Sequence, residues 1–160
     1  MNLKGTYRVK GKPEQVWAAL NDAEVLRQCT PGCRQMIAAG DDCFDVVIEI
    51  GIAAIKGRYT GQIKISDRVP NQCYTMAVSG TGTAGFMNAT GLIRVGGQEN
   101  DTVIEYAGEA NVGGLVAGVG QRVMEGIARM LVREFFKCFE TTFHKSGESI
   151  NSFGTSALPG

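Results

Sequence analysis

An alternation of apolar and polar residues runs through the middle of the chain, from Arg34 to Val112. Because successive side chains of a β-strand point to opposite faces, this period of two predicts strands with one apolar and one polar face. No part of the segment is long and helical, and parallel strands would need such crossovers, so the predicted sheet is antiparallel. Strands are expected at about 43–52, 55–66, 74–83, 86–95 and 102–112.

Helices are predicted on both sides of this segment. A first strand over 3–9 precedes two short helices, one beginning at Pro13 and the other capped by Asp22. After the strands, apolar residues repeat at spacings of three and four from about Leu115 to Phe143, which predicts one long amphipathic helix. Between the strands predicted at 43–52 and 55–66, a two-residue connection at Ala53-Ala54 would place Glu49 opposite Arg58.

The predicted fold is therefore a single α+β domain. A curved antiparallel sheet of about seven strands wraps around the long C-terminal helix, and the two short helices follow the first strand. The domain is expected to cover residues 1–144. The stretch 145–160 is rich in Ser, Gly and Asn and has no apolar period, which predicts a disordered tail.

The overall charge and the cysteine content exclude several classes of protein. The chain carries 16 Lys and Arg against 16 Asp and Glu, and this zero balance argues against nucleic-acid binding. No apolar run approaches the length of a membrane span, and no secretory signal pattern begins the chain, so we expect a cytoplasmic protein. The five cysteines are accordingly expected to be reduced thiols.

Two motifs are similar to cofactor or metal sites, but the sequence around each lacks a part that such a site requires. The glycines of Gly80–Gly85 match G-x-G-x-x-G, yet an alternating strand pattern follows where a dinucleotide site needs a helix, so a bend in the sheet is expected. The pair Cys29 and Cys33 has no second close pair to complete a structural zinc site. Ordinary thiols are the expectation there, with a redox or metal role as the alternative.

No residue combination for catalysis stands out. The single histidine, His144, is predicted at the end of the last helix without a fixed partner, so it is not expected to act as a base. No Asp, Glu, Arg, Lys or His falls on the inward phase of the well-phased strands. We therefore predict a protein that is not an enzyme, with no cofactor and no metal.

Glycines and tyrosines distinguish the inward face of the predicted sheet. Glycine in the interior of a strand weakens it, so repeated inward glycines either permit sharp curvature or leave room for a ligand. These glycines are Gly57, Gly61, Gly80, Gly82, Gly91 and Gly108. The inward tyrosines either bond locally in a filled core or present their hydroxyl groups to a ligand; they are Tyr59, Tyr74 and Tyr106.

We predict that the inward face lines an apolar cavity. At Gly61, between Tyr59 and Ile63, a valine would enter this space if it is empty and would strain the sheet if the glycine serves curvature. The predicted lining consists of Ile48, Ile50, Tyr59, Gly61, Ile63, Tyr74, Met76, Met87, Tyr106, Gly108, Val123, Ile127 and Leu131.

The order of elements resembles the helix-grip fold of the START/SRPBCC superfamily. Several segments narrow the resemblance to the CoxG family, named after a subunit of carbon monoxide dehydrogenase, and together they cover residues 1 to about 143: Val16–Asp22, Cys29–Cys33, Ile55–Gly57, Gly85-Phe86, Val112–Leu115 and Phe135-Phe136. The Cys-x-Pro-Gly-Cys turn after a Val-Trp helix is the most specific of these. The sequence departs from the family at Ala53-Ala54, where a Gly-Pro turn is common, and in its short tail.

The resemblance implies an accessory protein of molybdenum-containing oxidoreductases of the carbon monoxide dehydrogenase type. It implies that the protein carries a hydrophobic molecule such as a lipid or quinone, and that it recruits the oxidoreductase to the inner face of the cytoplasmic membrane through the family's tail. Two alternatives remain: a superfamily enzyme of polyketide cyclase or hydrolase type, and a protein-binding adaptor with a filled core. An interior volume of roughly 300–1,000 Å³ would favour a ligand site over the adaptor.

Overall fold

Seven antiparallel strands form one sheet in the computed structural model, which describes residues 1–157, with side chains to residue 145. The strands are β1 (Asn2–Lys10), β2 (Cys33–Ala38), β3 (Cys43–Ile50), β4 (Gly57–Val69), β5 (Cys73–Gly82), β6 (Gly85–Gln98) and β7 (Asp101–Gly113). Their order across the sheet is β1-β7-β6-β5-β4-β3-β2, so the strands from β2 to β7 follow one another as hairpins and β1 closes the sheet against β7. The predicted fold is confirmed.

Three α-helices accompany the sheet: α1 (Pro13–Leu20), α2 (Ala23–Cys29) and α3 (Gln121–Ala157). Asp22 caps α2 by accepting hydrogen bonds from the backbone amides of Glu24 and Val25, as its position predicts. The predicted start of the last helix is wrong, because a 3-10 turn occupies Gly114–Val119 and Gly120, with φ of 94°, separates it from α3. The helix α3 also continues past its predicted end at Phe143 and through residues 145–157 of the stretch that was predicted to be a disordered tail. Side chains after Lys145 lie outside the described residues, and the division of the domain at residue 144 stays a prediction.

The connection between β3 and β4 keeps the predicted register but not the predicted turn. Glu49 pairs with Arg58 across the strands, and Arg58 Nη1 lies 3.4 Å from Glu49 Oε1. The two strands are joined by residues 51–56, which contain a 3-10 turn at Ala53–Ile55, instead of by two residues. This turn places Ile55 in the interior, where it is buried.

The buried side chains form three clusters in the described part of the chain. The first lies where α1, α2 and the second half of α3 cover β1, β6 and β7, and Val9, Ile104 and Phe139 are fully buried in it. The second packs β3, β4 and β5 against Trp17, and the third joins Ile55 to the beginning of α3. The core is therefore divided into several clusters and does not form one continuous group of buried side chains.

The expectation of five reduced cysteines is wrong for two of them. Cys29 of α2 and Cys138 of α3 form a disulfide, and Cys33, Cys43 and Cys73 are free. The hydroxyl of Thr142, one turn after Cys138, lies 3.7 Å from Cys29 Sγ and 3.8 Å from Cys138 Sγ. The two bonded residues are separated by 109 positions, so the spacing of cysteines along the sequence could not reveal the pair.

Thiol titration of the unfolded chain checks this disulfide. We expect three reactive thiols per chain in protein purified without reductant, and five after reduction, since only Cys33, Cys43 and Cys73 are free. The double variant Cys29→Ser/Cys138→Ser should give three thiols under both conditions. A value of five in the unreduced wild type would contradict the disulfide.

Candidate functional site

The inner face of the sheet, defined here as the face that carries the inward-phase side chains, turns towards α3. Phe136 of α3 illustrates this, because its ring stacks on Tyr7 at 4.8 Å and on Tyr106 at 6.0 Å. Cross-strand pairing aligns the inward residues in rows that run across the sheet. One row is Val46, Gly61, Gly80, Met87 and Val112. Another row is Ile65, Met76, Gly91, Gly108 and Leu3.

The middle of the inner face is not fully packed. Met76, Val78, Met87 and Ala89 lie on inward positions of β5 and β6, yet all four are only half-buried. The backbone of α3 approaches α2 and β1 most closely, at one side of the sheet, and Leu131 opposite is also half-buried. An apolar surface therefore remains accessible beneath the helix.

The predicted lining residues fall into four groups. Ile63, Tyr74 and Ile127 are buried members of the packed clusters. Seven others are half-buried: Ile48, Ile50, Tyr59, Met76, Met87, Tyr106 and Leu131. Gly61 and Gly108 sit in the rows described above. Val123 is 48% exposed and does not fit an inward position. The side chains of α3 that pack inward begin one residue later, at Met124.

Two of the three inward tyrosines differ in how their hydroxyl groups are placed: that of Tyr59 is bonded locally, and that of Tyr74 belongs to a buried side chain. The hydroxyl of Tyr59 donates to the Ile55 carbonyl oxygen at 2.7 Å, which is the local bonding that was one of the two expectations. Tyr74 packs edge-on against Trp17 with ring centroids 5.5 Å apart. Burial raises the pKa of Tyr74 to about 12, so its hydroxyl stays neutral over the physiological range.

Two of the inward glycines permit close approach of neighbouring strands. A Cβ at Gly61 would overlap the Ser79 carbonyl oxygen of β5, and a Cβ at Gly108 would lie 2.7 Å from the Thr90 carbonyl oxygen of β6. Neither glycine has a left-handed φ, so crowding by the adjacent backbone excludes a side chain there. At these two positions the adjacent backbone fills the space beside the glycine, so the glycine leaves no room for a ligand there.

Sequence reasoning missed a polar pair between β1 and α3. The Tyr7 hydroxyl donates to Glu140 Oε2 at 2.7 Å, across a sequence separation of 133 residues. This hydrogen bond, together with burial and the negative charge of Glu140, raises the pKa of Tyr7 to about 12. Glu140 lies one helical turn after Phe136 and one turn before Phe143. This spacing places it on the apolar face of the helix, and that position was the signal in the sequence that it has a partner on the sheet. The pair joins the edge strand to the helix.

A separate groove of about 450 Å³ lies on the opposite, outer face over β1, β7 and β6. Its lining is mixed in charge and polarity: Lys4, Gly5, Thr6, Leu92, Arg94, Glu105, Tyr106 and Ala107. Only Tyr106 is shared with the predicted apolar lining. The groove is therefore a different site from the predicted cavity.

Two classes of feature are absent from the described part of the chain. No three His, Cys, Asp or Glu side chains there are grouped so that they could hold a metal ion. No helix there is both long enough and apolar enough to cross a bilayer.

Comparison with known proteins decides the family. The sequence model of CoxG, a family named after a subunit of carbon monoxide dehydrogenase, matches residues 5–144, nearly the whole described domain. The chain belongs to the CoxG family. Its helix-grip fold is thus that of the family that its sequence motifs indicated, and a search of curated proteins found no match.

Solved structures agree with this assignment. A conserved protein from Geobacillus kaustophilus is 37% identical, with a TM-score of 0.89 over 91% of this chain and 97% of that one. A START superfamily protein from Mycobacterium smegmatis has a TM-score of 0.69 at 12% identity, covering 90% and 97% of the two chains. The Zhui aromatase/cyclase from Streptomyces sp. R1128 has a TM-score of 0.63 at 12% identity, covering 91% and 94%. At such identities the last two structures establish only that the CoxG chain has the START-like fold.

Proposed function

We propose that this CoxG-family protein is a non-catalytic carrier that binds a hydrophobic small molecule, of lipid or quinone type, on the inner face beneath α3. The observation that carries the proposal is the set of inward apolar side chains, including Met76, Val78, Met87 and Ala89, that remain half-buried. A core that served stability alone would bury such side chains, since each gains about 1.5–3 kcal/mol from full burial when it is large. An apolar ligand would supply that burial.

The side chains of this surface suit a ligand of variable shape. Met76 and Met124 pack at the edges of two different clusters, and Met87 lies between them in a row that contains two glycines. Methionine is unbranched and polarizable, so it adapts to irregular apolar surfaces. The absence of charged side chains from inward positions of the strands favours binding over chemistry, because an enzyme of the cyclase type needs polar groups that orient a carbonyl or a water.

Membership of the CoxG family supports a proposal for the partner and the location. We propose that the protein assists an oxidoreductase of the carbon monoxide dehydrogenase type, and that it works in the cytoplasm with contact at the inner face of the cytoplasmic membrane. A carrier of an apolar molecule needs both a donor and an acceptor site, and a membrane and a membrane-recruited enzyme would supply them.

Ligand binding is tested by native mass spectrometry of freshly purified protein, followed by titration with a short-chain quinone and a short-chain phospholipid. Ala89→Trp would fill the inner face between Val78 and Ala110, its cross-strand partners, and should abolish binding. Ala107→Trp is the matched control, because Ala107 is exposed in the outer groove, and it should leave binding unchanged. Loss of binding in Ala107→Trp alone, or no binding of either probe by the wild type, would contradict the proposal.

A further inference from the structure

One end of the domain is formed by three connections that carry no charged side chain. They are the 3-10 turn Ala53–Ile55, the β5–β6 turn at 83–84 and the 3-10 turn Gly114–Val119. The surrounding sequence is uncharged over 50–55, 69–93 and 110–121. We call this end the apolar tip.

Specific contacts hold the three connections of the apolar tip together. The Val116 amide donates to the Ala84 carbonyl oxygen at 2.7 Å, which fixes the third connection to the second. Ile55 and Val116 are buried together with Ile127, which fixes the first connection to the third. Gly114, with φ of 80°, and Gly120, with φ of 94°, bound the loop that carries Leu115.

Large apolar side chains project from this tip into solvent. Leu115 is 80% exposed, and Phe86 at the start of β6 and Val123 in the first turn of α3 are each 48% exposed. Single exposed apolar residues are ordinary, but three on one uncharged end of a domain indicate a surface that is covered by a partner.

Exposed basic side chains border the apolar tip. Among the described residues, Lys56 and Arg122 have no carboxylate within ion-pair distance, whereas Arg58 Nη1 lies 3.4 Å from Glu49 Oε1. The hairpin turns at the opposite end carry both signs, since the carboxylates of Asp42 and Asp101 are paired with arginines. The unpaired basic side chains are therefore a local feature of the apolar tip.

We propose that the apolar tip docks on an anionic lipid bilayer, with Leu115 inserted among the lipids and Lys56 and Arg122 against the headgroups. A bilayer fits these features better than a folded protein, because a loop with one projecting leucine among Gly and Ala inserts into lipid without needing a shaped pocket. The unpaired basic side chains draw this end to negative lipid. The proposal rests on the membrane contact proposed above and assigns it to a surface other than the tail.

Vesicle co-sedimentation of the full chain tests the proposal, with vesicles of phosphatidylcholine alone and of phosphatidylcholine mixed with phosphatidylglycerol. We expect binding to the mixed vesicles that weakens as salt rises. Leu115→Ser should lower the partition coefficient about tenfold, and Lys56→Gln and Arg122→Gln about fivefold each. Ile37→Ser is the matched control, because Ile37 is 51% exposed on β2, away from the tip, and it should change nothing.

A second measurement follows the tip directly. Leu115→Trp should give tryptophan emission that shifts to shorter wavelength on vesicles and is quenched by brominated lipid, while Trp17 contributes a constant background. Absence of vesicle binding by the wild type would overturn both this proposal and the membrane contact. Binding that survives Leu115→Ser but is lost on truncation after Lys145 would overturn the tip alone and leave the membrane contact in place.

Discussion

Replacing Phe139 with alanine is expected to lower the free energy of unfolding by about 3–5 kcal/mol. Phe139 has no exposed surface, and it packs where α3 meets α1 and α2. Its ring centroid lies 6.1 Å from those of both Phe135 and Phe143, in nearly parallel stacks. Removal of the ring would leave a cavity among aromatic side chains of one rigid helix, which cannot easily collapse to fill it. Urea denaturation measures the loss.

The matched control is Leu115→Ala, which removes a large apolar side chain that is 80% exposed. Its effect on unfolding should remain within about 0.5 kcal/mol, as for most surface substitutions. A loss below about 1 kcal/mol for Phe139→Ala would mean that the second half of α3 does not pack on the sheet as described.

Gly61→Ala is expected to cost about 1–3 kcal/mol, and Gly61→Val more, because the new Cβ would overlap the Ser79 carbonyl oxygen. The neighbouring strand, and not a flexible side chain, would have to move. Gly80, the cross-strand partner of Gly61, is the control, since a Cβ there would meet only the Thr60 carbonyl oxygen, at 3.9 Å. Gly80→Ala should therefore be neutral or slightly stabilising. Equal effects of the two alanine substitutions would show that backbone approach at Gly61 is not the constraint.

The faces and partners of the strands were predictable because they depend on local pattern. The alternation of residues assigned the inner face, and the opposite charges of Glu49 and Arg58 fixed one register that the structure confirms. The connection between their strands was not predictable, since Ile52 extends the apolar alternation of β3 into it and Ile55 extends that of β4. Leu115 likewise has helical spacing from the residues of α3, but the glycines at 114 and 120 end that pattern in the structure.

The parts of the site that depend on distant contacts were beyond sequence reasoning. The disulfide between Cys29 and Cys138 and the hydrogen bond between Tyr7 and Glu140 each join residues more than a hundred positions apart. The crowding at Gly61 depends on how closely the backbone of β5 approaches it, which no local pattern encodes. The grouping of the uncharged connections at one end of the domain could have been found, because hairpin connections alternate between the ends of an antiparallel sheet.

The pairing of β1 with β7 constrains the order in which the chain can fold. Asn2 pairs with Glu109 and Lys10 with Asp101, so the first strand has no partner until the last strand is made. During synthesis the hairpins from β2 to β7 can assemble one after another, whereas β1 must wait with its backbone groups unpaired. Closing so long a segment is slow compared with forming a hairpin, and we expect the sheet to gain its edge strand in the final, slowest step of folding.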